Sequence, residues 1–162
     1  LLVSPLKPIQ IIIGKVTPYV LLSLINALTI LALGYFVFGM PMRGNIILLL
    51  LETILFIFMA LSMGILISTV AKTQQVALFV SLAGLMLPTI LLSGFIFPVE
   101  NMPWPLQVLS NIMPTKWFII IIKNIMLKGT ELVYIWKETL IILFMTAFFI
   151  GLSVRNFKIR LE

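Results

Sequence analysis

Few side chains in this chain are equipped for chemistry, and two of them sit where polarity is costly. Glu52 lies in an otherwise apolar stretch from Ile46 to Val70, and Asn26 lies inside another from Pro18 to Phe38. A carboxyl inside a lipid-crossing helix reads as a proton or cation site; beside Arg43 it reads equally as an anchor at a helix end. Asn26 reads as a substrate or ion contact, or as an interhelical hydrogen bond. The chain has no Cys and no His, and its 5 acidic residues are all Glu. That composition removes thiolate and imidazole metal sites, cysteine nucleophiles and Ser-His triads. Gly14-Lys15-Val16-Thr17 shares a Gly-Lys pair with phosphate-binding loops. The motif needs a Gly five residues earlier and Ser or Thr directly after the Lys, where Ile9 and Val16 stand instead. No catalytic, cofactor-binding or metal-ligating set emerges, so any ATP that drives this protein must be bound by another subunit or domain.

The elements that position these residues follow from hydropathy. Hydrophobic residues make up 62% of the chain and charged residues 10%, with a mean hydropathy of +1.24. A soluble domain carries about 25% charged residues, so an ordinary soluble fold is excluded. Charge-free runs from Val16 to Met42 and from Thr73 to Val99 are each long enough to cross a bilayer, which takes about 20 apolar residues. The fold class expected is an all-α integral membrane protein, one transmembrane unit over residues 1–162. Its four spans fall at about 18–38, 46–70, 76–97 and 139–154. Pro18 suits a first helical turn. Pro88 inside the third span predicts a kink. The last span is short, so Lys137 and Arg155 are expected to snorkel outward.

Residues 98–137 are too long for a turn and too apolar for a solvated loop. Pro98, Pro103, Pro105 and Pro114 divide them into pieces too short to span, which predicts re-entrant or interfacial helices. Trp104, Trp117 and Trp136 fall in or beside this region and favour headgroup level. Small residues recur every four positions at Ala60, Gly64 and Ser68, at Ala77 and Ser81, and at Ala147 and Gly151. That spacing predicts close helix packing.

The net charge of +6 comes from basic residues scattered at segment ends, with no stripe for nucleic acid. Four spans put Lys7, Lys15, Lys72, Arg155, Lys158 and Arg160 on one side. Arg43, Lys116, Lys123, Lys128 and Lys137 fall on the other. The positive-inside bias then places both ends in the cytoplasm, in the cell (inner) membrane, with Lys116 among the outer-loop charges.

One stretch carries a family resemblance. Ser93-Gly94-Phe95-Ile96-Phe97-Pro98-Val99-Glu100-Asn101-Met102-Pro103 is followed by Pro114-Thr115-Lys116-Trp117-Phe118 and Lys128-Gly129. Near the start stand Leu2-Val3-Ser4-Pro5, Gly14-Lys15 and Pro18-Tyr19. This order resembles the permease subunit of ABC-2 type transporters over nearly the whole chain. The resemblance implies the last four helices of a six-helix permease, with two spans and any extracellular domain between them absent from this chain. It implies a dimer of permease chains, homo- or heteromeric, each docked on a cytoplasmic ABC ATPase that binds ATP and Mg. Under it, Ser4, Pro5, Leu6, Lys7 and Lys72 are candidates for the ATPase contact. Ser93, Gly94, Phe97, Pro98, Glu100, Pro103 and Pro114 become candidates for an outer gate. The function implied is the membrane pathway of an ATP-driven exporter. The rivals are an ion-coupled secondary transporter or channel using Glu52, and a membrane scaffold that transports nothing.

Overall fold

The computed structural model describes residues 8–159, and every element among them is helical. Helix α1 is Pro8–Phe36, α2 is Ile46–Val70, α3 is Gln74–Leu92, α4 is Trp104–Ile112, α5 is Pro114–Lys128 and α6 is Leu132–Ile159. Four of these, α1, α2, α3 and α6, are long and apolar enough to cross a membrane. Ser4, Pro5, Leu6 and Lys7, expected at an ATPase contact, lie outside the described residues.

Local chemistry sets the helix ends. The Asn45 side chain accepts the Ile47 N–H at 2.8 Å and starts α2. Thr73 does the same for α3, accepting from Val76 at 3.2 Å. The first helix runs through Pro18, from Pro8 to Phe36, and its apolar span, Val16–Phe36, begins and ends two residues before the expected 18–38. The third span is shorter than expected. It stops at Leu92 and not Phe97, since Gly94 takes φ +78, a left-handed conformation that glycine adopts without a Cβ penalty. The last helix starts at Leu132, seven residues before Thr139, so Lys137 and Glu138 lie within it and not ahead of it. Tyr134 and Trp136 are exposed near that end, and the Lys137 ammonium lies 5.9 Å from the Trp136 ring centre. Within α3, residues Val80–Met86 are π-helical, with the Leu87 N–H reaching back to the Leu82 carbonyl. This widened stretch directly precedes Pro88, which has no N–H to give, and α3 continues to Leu92 without a sharp bend.

The core is a seam between α2 and α6, closed on one side by α5. Leu49 and Met59 pack with Ile121, Ile125, Ile135 and Ile142. Phe56 and Phe118 stack face to face, with ring centres 4.0 Å apart. Two polar rungs cross the seam. The Thr139 hydroxyl donates to Glu52 at 2.7 Å, and the Ser153 hydroxyl to the Ser62 carbonyl at 3.3 Å. The partners ascend together along both helices, so α2 and α6 run parallel.

That direction decides the topology between them. One crossing by α3 returns the chain to the side of the 37–45 turn, where α6 begins. Helices α4 and α5, bent by 83° at Met113, therefore enter and leave on that same side as a re-entrant hairpin. A fifth crossing would have made α2 and α6 antiparallel.

The small-residue stripes do not form this seam. Ala60, Gly64, Ala147 and Gly151 are exposed, and a Cβ on Gly64 or Gly151 would meet nothing within 4 Å. The close approach occurs elsewhere. A Cβ on Gly44 would collide with the carbonyl of Ile125, and one on Gly129 would lie 3.1 Å from the carbonyl of Arg43. The Arg43 N–H donates to the Met126 carbonyl at 3.1 Å, so the α1–α2 turn and the end of the hairpin meet backbone to backbone. Gly44→Ala is expected to destabilise the protein by about 2–4 kcal/mol, whereas Gly64→Ala changes it by roughly 0.5 kcal/mol or less. Thermal unfolding of the full-length protein in mild detergent compares the two.

Candidate functional site

The hairpin gathers the residues that carry the family-like motif. Ser93 is buried at the end of α3, and its hydroxyl accepts the Phe95 N–H at 3.4 Å. Gly94 turns the chain against Val99, and a short 3-10 turn at Val99–Asn101 contains Glu100. Phe97, Pro98, Glu100 and Pro103 are exposed along this approach, while Pro114 is buried at the start of α5. A cavity of about 540 Å³ opens between α3 and the hairpin, lined by Pro88, Leu91, Phe97, Asn101, Met102 and Leu106 among others.

Side chains hold the hairpin closed. The Gln107 amide donates to the Met102 carbonyl at 2.8 Å. The Ser110 hydroxyl, fully buried, donates to the Leu92 carbonyl at 2.7 Å and ties α4 to the end of α3. The Trp117 indole donates to the Asn111 carbonyl at 3.0 Å across the bend. Each bond answers a carbonyl at a helix end or in a non-helical turn. None of Gln107, Ser110 and Asn111 stood out in the sequence, where each is an ordinary polar residue in a short apolar piece.

The depth of the bend follows from two rulers. Ile125 abuts Gly44 beside the start of α2, and Lys116 lies nine residues before it on α5, roughly 13 Å by helical rise. Phe118 stacks on Phe56, ten residues past Ile46, or about 15 Å along α2. Lys116 and Trp117 are thus deep in the bundle and half-buried. Lys116 falls within the re-entrant hairpin expected for residues 98–137, while Trp117 lies below the level of the α1–α2 turn and not at the headgroup level expected for it. Their sequence neighbours do not disclose it, because depth is set by contacts to α2.

The intramembrane polar candidates separate. Asn26 is exposed on α1 and makes no interhelical hydrogen bond among the described residues. Glu52 is only 3% exposed, turned into the seam and away from a surface pairing with Arg43, which is itself exposed. Its Oε1 accepts from Thr139, and its Oε2 has no hydrogen-bond partner among the described residues. The same Thr139 hydroxyl lies 3.0 Å from the Ile135 carbonyl, so one proton faces two acceptors. Lys72 is exposed in the α2–α3 turn, at the edge of a cavity of about 200 Å³ with Ser68, Thr73 and Gln74. The structure does not bring Lys72 near the hairpin; they lie at opposite ends of α3.

Thr139→Val removes the one hydroxyl that, among the described residues, engages the buried Glu52 carboxyl. It is expected to cost about 1–3 kcal/mol, with Thr139→Ser recovering most of that loss. Denaturant titration of the purified full-length protein measures both.

Comparison with known proteins bears on the whole chain. Residues 1–155 match the family described as ABC-2 family transporter protein. The chain is 39% identical over 147 residues to the Probable multidrug ABC transporter permease YbhR of Escherichia coli strain K12, covering 91% of this chain and 40% of that protein. It is 32% identical over 162 residues to the Probable multidrug ABC transporter permease YbhS of the same organism, covering 100% of this chain and 43% of the relative. ABC transporter G family member 20 of Dictyostelium discoideum is 31% identical over 147 residues, 90% of this chain and 20% of that one. The chain therefore spans well under half the length of the curated relatives it matches. No solved structure matches it. With four apolar spans, a re-entrant hairpin before the last of them and a family match running nearly end to end, the chain belongs to the ABC-2 transporter permeases, multi-pass membrane proteins of the ABC transporters.

Proposed function

We propose that this chain is the C-terminal portion of the permease subunit of an ATP-driven exporter. It forms part of the membrane pathway, and a separate cytoplasmic ATPase binds ATP and Mg and hydrolyses the nucleotide. The observation that carries the reading is the ABC-2 family match over residues 1–155, on a chain whose sequence holds no phosphate-binding loop. Two permease chains, homo- or heteromeric, make the complete pathway together with the ATPases. Both ends of the segment face the cytoplasm of the cell (inner) membrane, so the hairpin lies on the outer side. There Ser93, Gly94, Phe97, Pro98, Glu100, Pro103 and Pro114 build an outer gate. Lys72, on the opposite side, contacts the ATPase, as do Ser4, Pro5, Leu6 and Lys7.

The substrate class suggested by the relatives is a drug-like amphiphile, since two of them carry the name multidrug permease. The burial of Glu52 against Thr139 supports a packing role for that carboxyl and not a coupling-ion site along the pathway.

Purification of the full-length protein in mild detergent is expected to bring down a stoichiometric ATPase whose hydrolysis rate depends on the permease. A homo-oligomer with neither partner nor ATPase activity overturns the reading. The chain has no native Cys. In full-length protein with any cysteine outside this segment replaced, Lys72→Cys is expected to react with permeant maleimide only and to crosslink to the ATPase. Labelling of that cysteine by an impermeant reagent from outside the cell refutes the orientation.

A further inference from the structure

Lys116 is a cation placed where lipid-crossing proteins avoid one. It stands at the bend of the hairpin, roughly 13 Å below the Ile125–Gly44 contact. Side chains on a helix lean toward its N-terminus, so Lys116, in the first turn of α5, leans further toward the bend and away from the nearer surface. Its ammonium is held by the Asn111 side-chain oxygen on α4 and lies 5.4 Å from the Trp117 ring centre. Among the described residues no carboxylate pairs with it. The peptide dipoles of α5 add to the cost, because a helix N-terminus favours negative charge. Asn111 and Trp117 thus fix a positive charge at the bend of the hairpin, and no carboxylate among the described residues neutralises it. An amide oxygen and a ring face orient an ammonium but leave its charge intact.

From this arrangement we infer that Lys116 binds the anionic head group of an amphiphile, a carboxylate or phosphate carried on an apolar body. The head group takes a charge-assisted hydrogen bond from the ammonium, with Asn111 and Trp117 keeping the lysine in place. The apolar cavity between α3 and α4 reaches Leu106, on the same helix as Asn111, and its volume of about 540 Å³ takes the body. The ligand's charge completes an ion pair within the membrane, and this sets a preference for anionic over neutral or cationic amphiphiles. The residues that carry this preference are distinct from Glu52 and from the Lys72 end of the molecule.

The test uses full-length protein in phosphatidylcholine nanodiscs. The probe is the conjugated fatty acid cis-parinarate, followed by energy transfer from protein tryptophan at about pH 9, where a carboxyl in lipid is ionised. Its methyl ester is the neutral control, and empty discs report partitioning into lipid. The acid is expected to bind more tightly than the ester by on the order of 10-fold. Lys116→Met removes that preference while ester binding persists, which also shows that the variant is folded. Lys116→Arg retains the preference, as a positive charge should. Displacement of the acid by phosphatidylglycerol in the discs identifies a bilayer phospholipid as the occupant. Failure of that lipid to compete identifies a free amphiphile, and either result supports an anion site. Equal binding of acid and ester by the unmodified protein, or an unchanged preference in Lys116→Met, overturns it. The discs contain no ATPase and no ATP, so this outcome is separate from that of the exporter proposal.

Discussion

A chain that enters a bilayer and turns back must close its own hydrogen bonds, because hydrocarbon offers none and each orphaned backbone group there costs several kcal/mol. The rest of this structure is arranged around that requirement. A straight helix meets it alone, and α1, α2, α3 and α6 do. The hairpin cannot, since it contains a helix end, a non-helical approach and a bend. Ser110 answers the Leu92 carbonyl, Gln107 that of Met102, and the Trp117 indole that of Asn111. The Arg43 N–H answers Met126 from the α1–α2 turn. The last of these requires two backbones in contact, and Gly44 is the residue that permits it. The hairpin is therefore not a loop resting on the bundle. It is tied to α3 at one end and to the α1–α2 turn at the other, with Phe118 stacked on α2 between them.

How much of this could be read from the residues depended on whether the signal was local. The second span is legible to the residue, because Arg43-Gly44-Asn45 and Ala71-Lys72-Thr73 bracket it and Asn45 is a strong cap. The break before residue 98 is legible from its prolines, although the helix gives way earlier, at Ser93 and Gly94, where a positive φ overrides the apolar Phe95, Ile96 and Phe97. The start of the last helix is misread for the opposite reason. Lys137 and Glu138 look like a boundary, yet a membrane helix carries charges in its first turns when an aromatic neighbour such as Trp136 sits at the same level.

Tertiary facts were not legible at all. A spacing of four small residues marks any helix face, and it does not say which face meets a neighbour. In α2 the packed face is Leu49, Glu52, Thr53, Ile57, Met59 and Ser62, containing a carboxyl that hydropathy alone would turn away. Thr139 and Ser153 are invisible as partners, since nothing local to α6 reveals that it runs parallel to α2. The position of Lys116 belongs to the same class. One lysine in a Pro-flanked piece looks like a loop charge until a stacked phenylalanine two residues later fixes its depth.

The parallel seam also bears on how the protein comes into being. Glu52 and Thr139 are separated by 87 residues, and Ser62 and Ser153 by 91. At a synthesis rate of roughly 5–20 residues per second, α2 is made about 4–17 s before its partner helix exists. During that interval the Glu52 carboxyl has no Thr139 to meet, while α1 already lies alongside α2 and α3 is inserting. The nascent chain must therefore hold a helix with an unmatched acid in or beside the translocation machinery until α6 arrives. Of the helices described, the one made last closes the core, so this bundle cannot settle before translation of the segment is nearly complete.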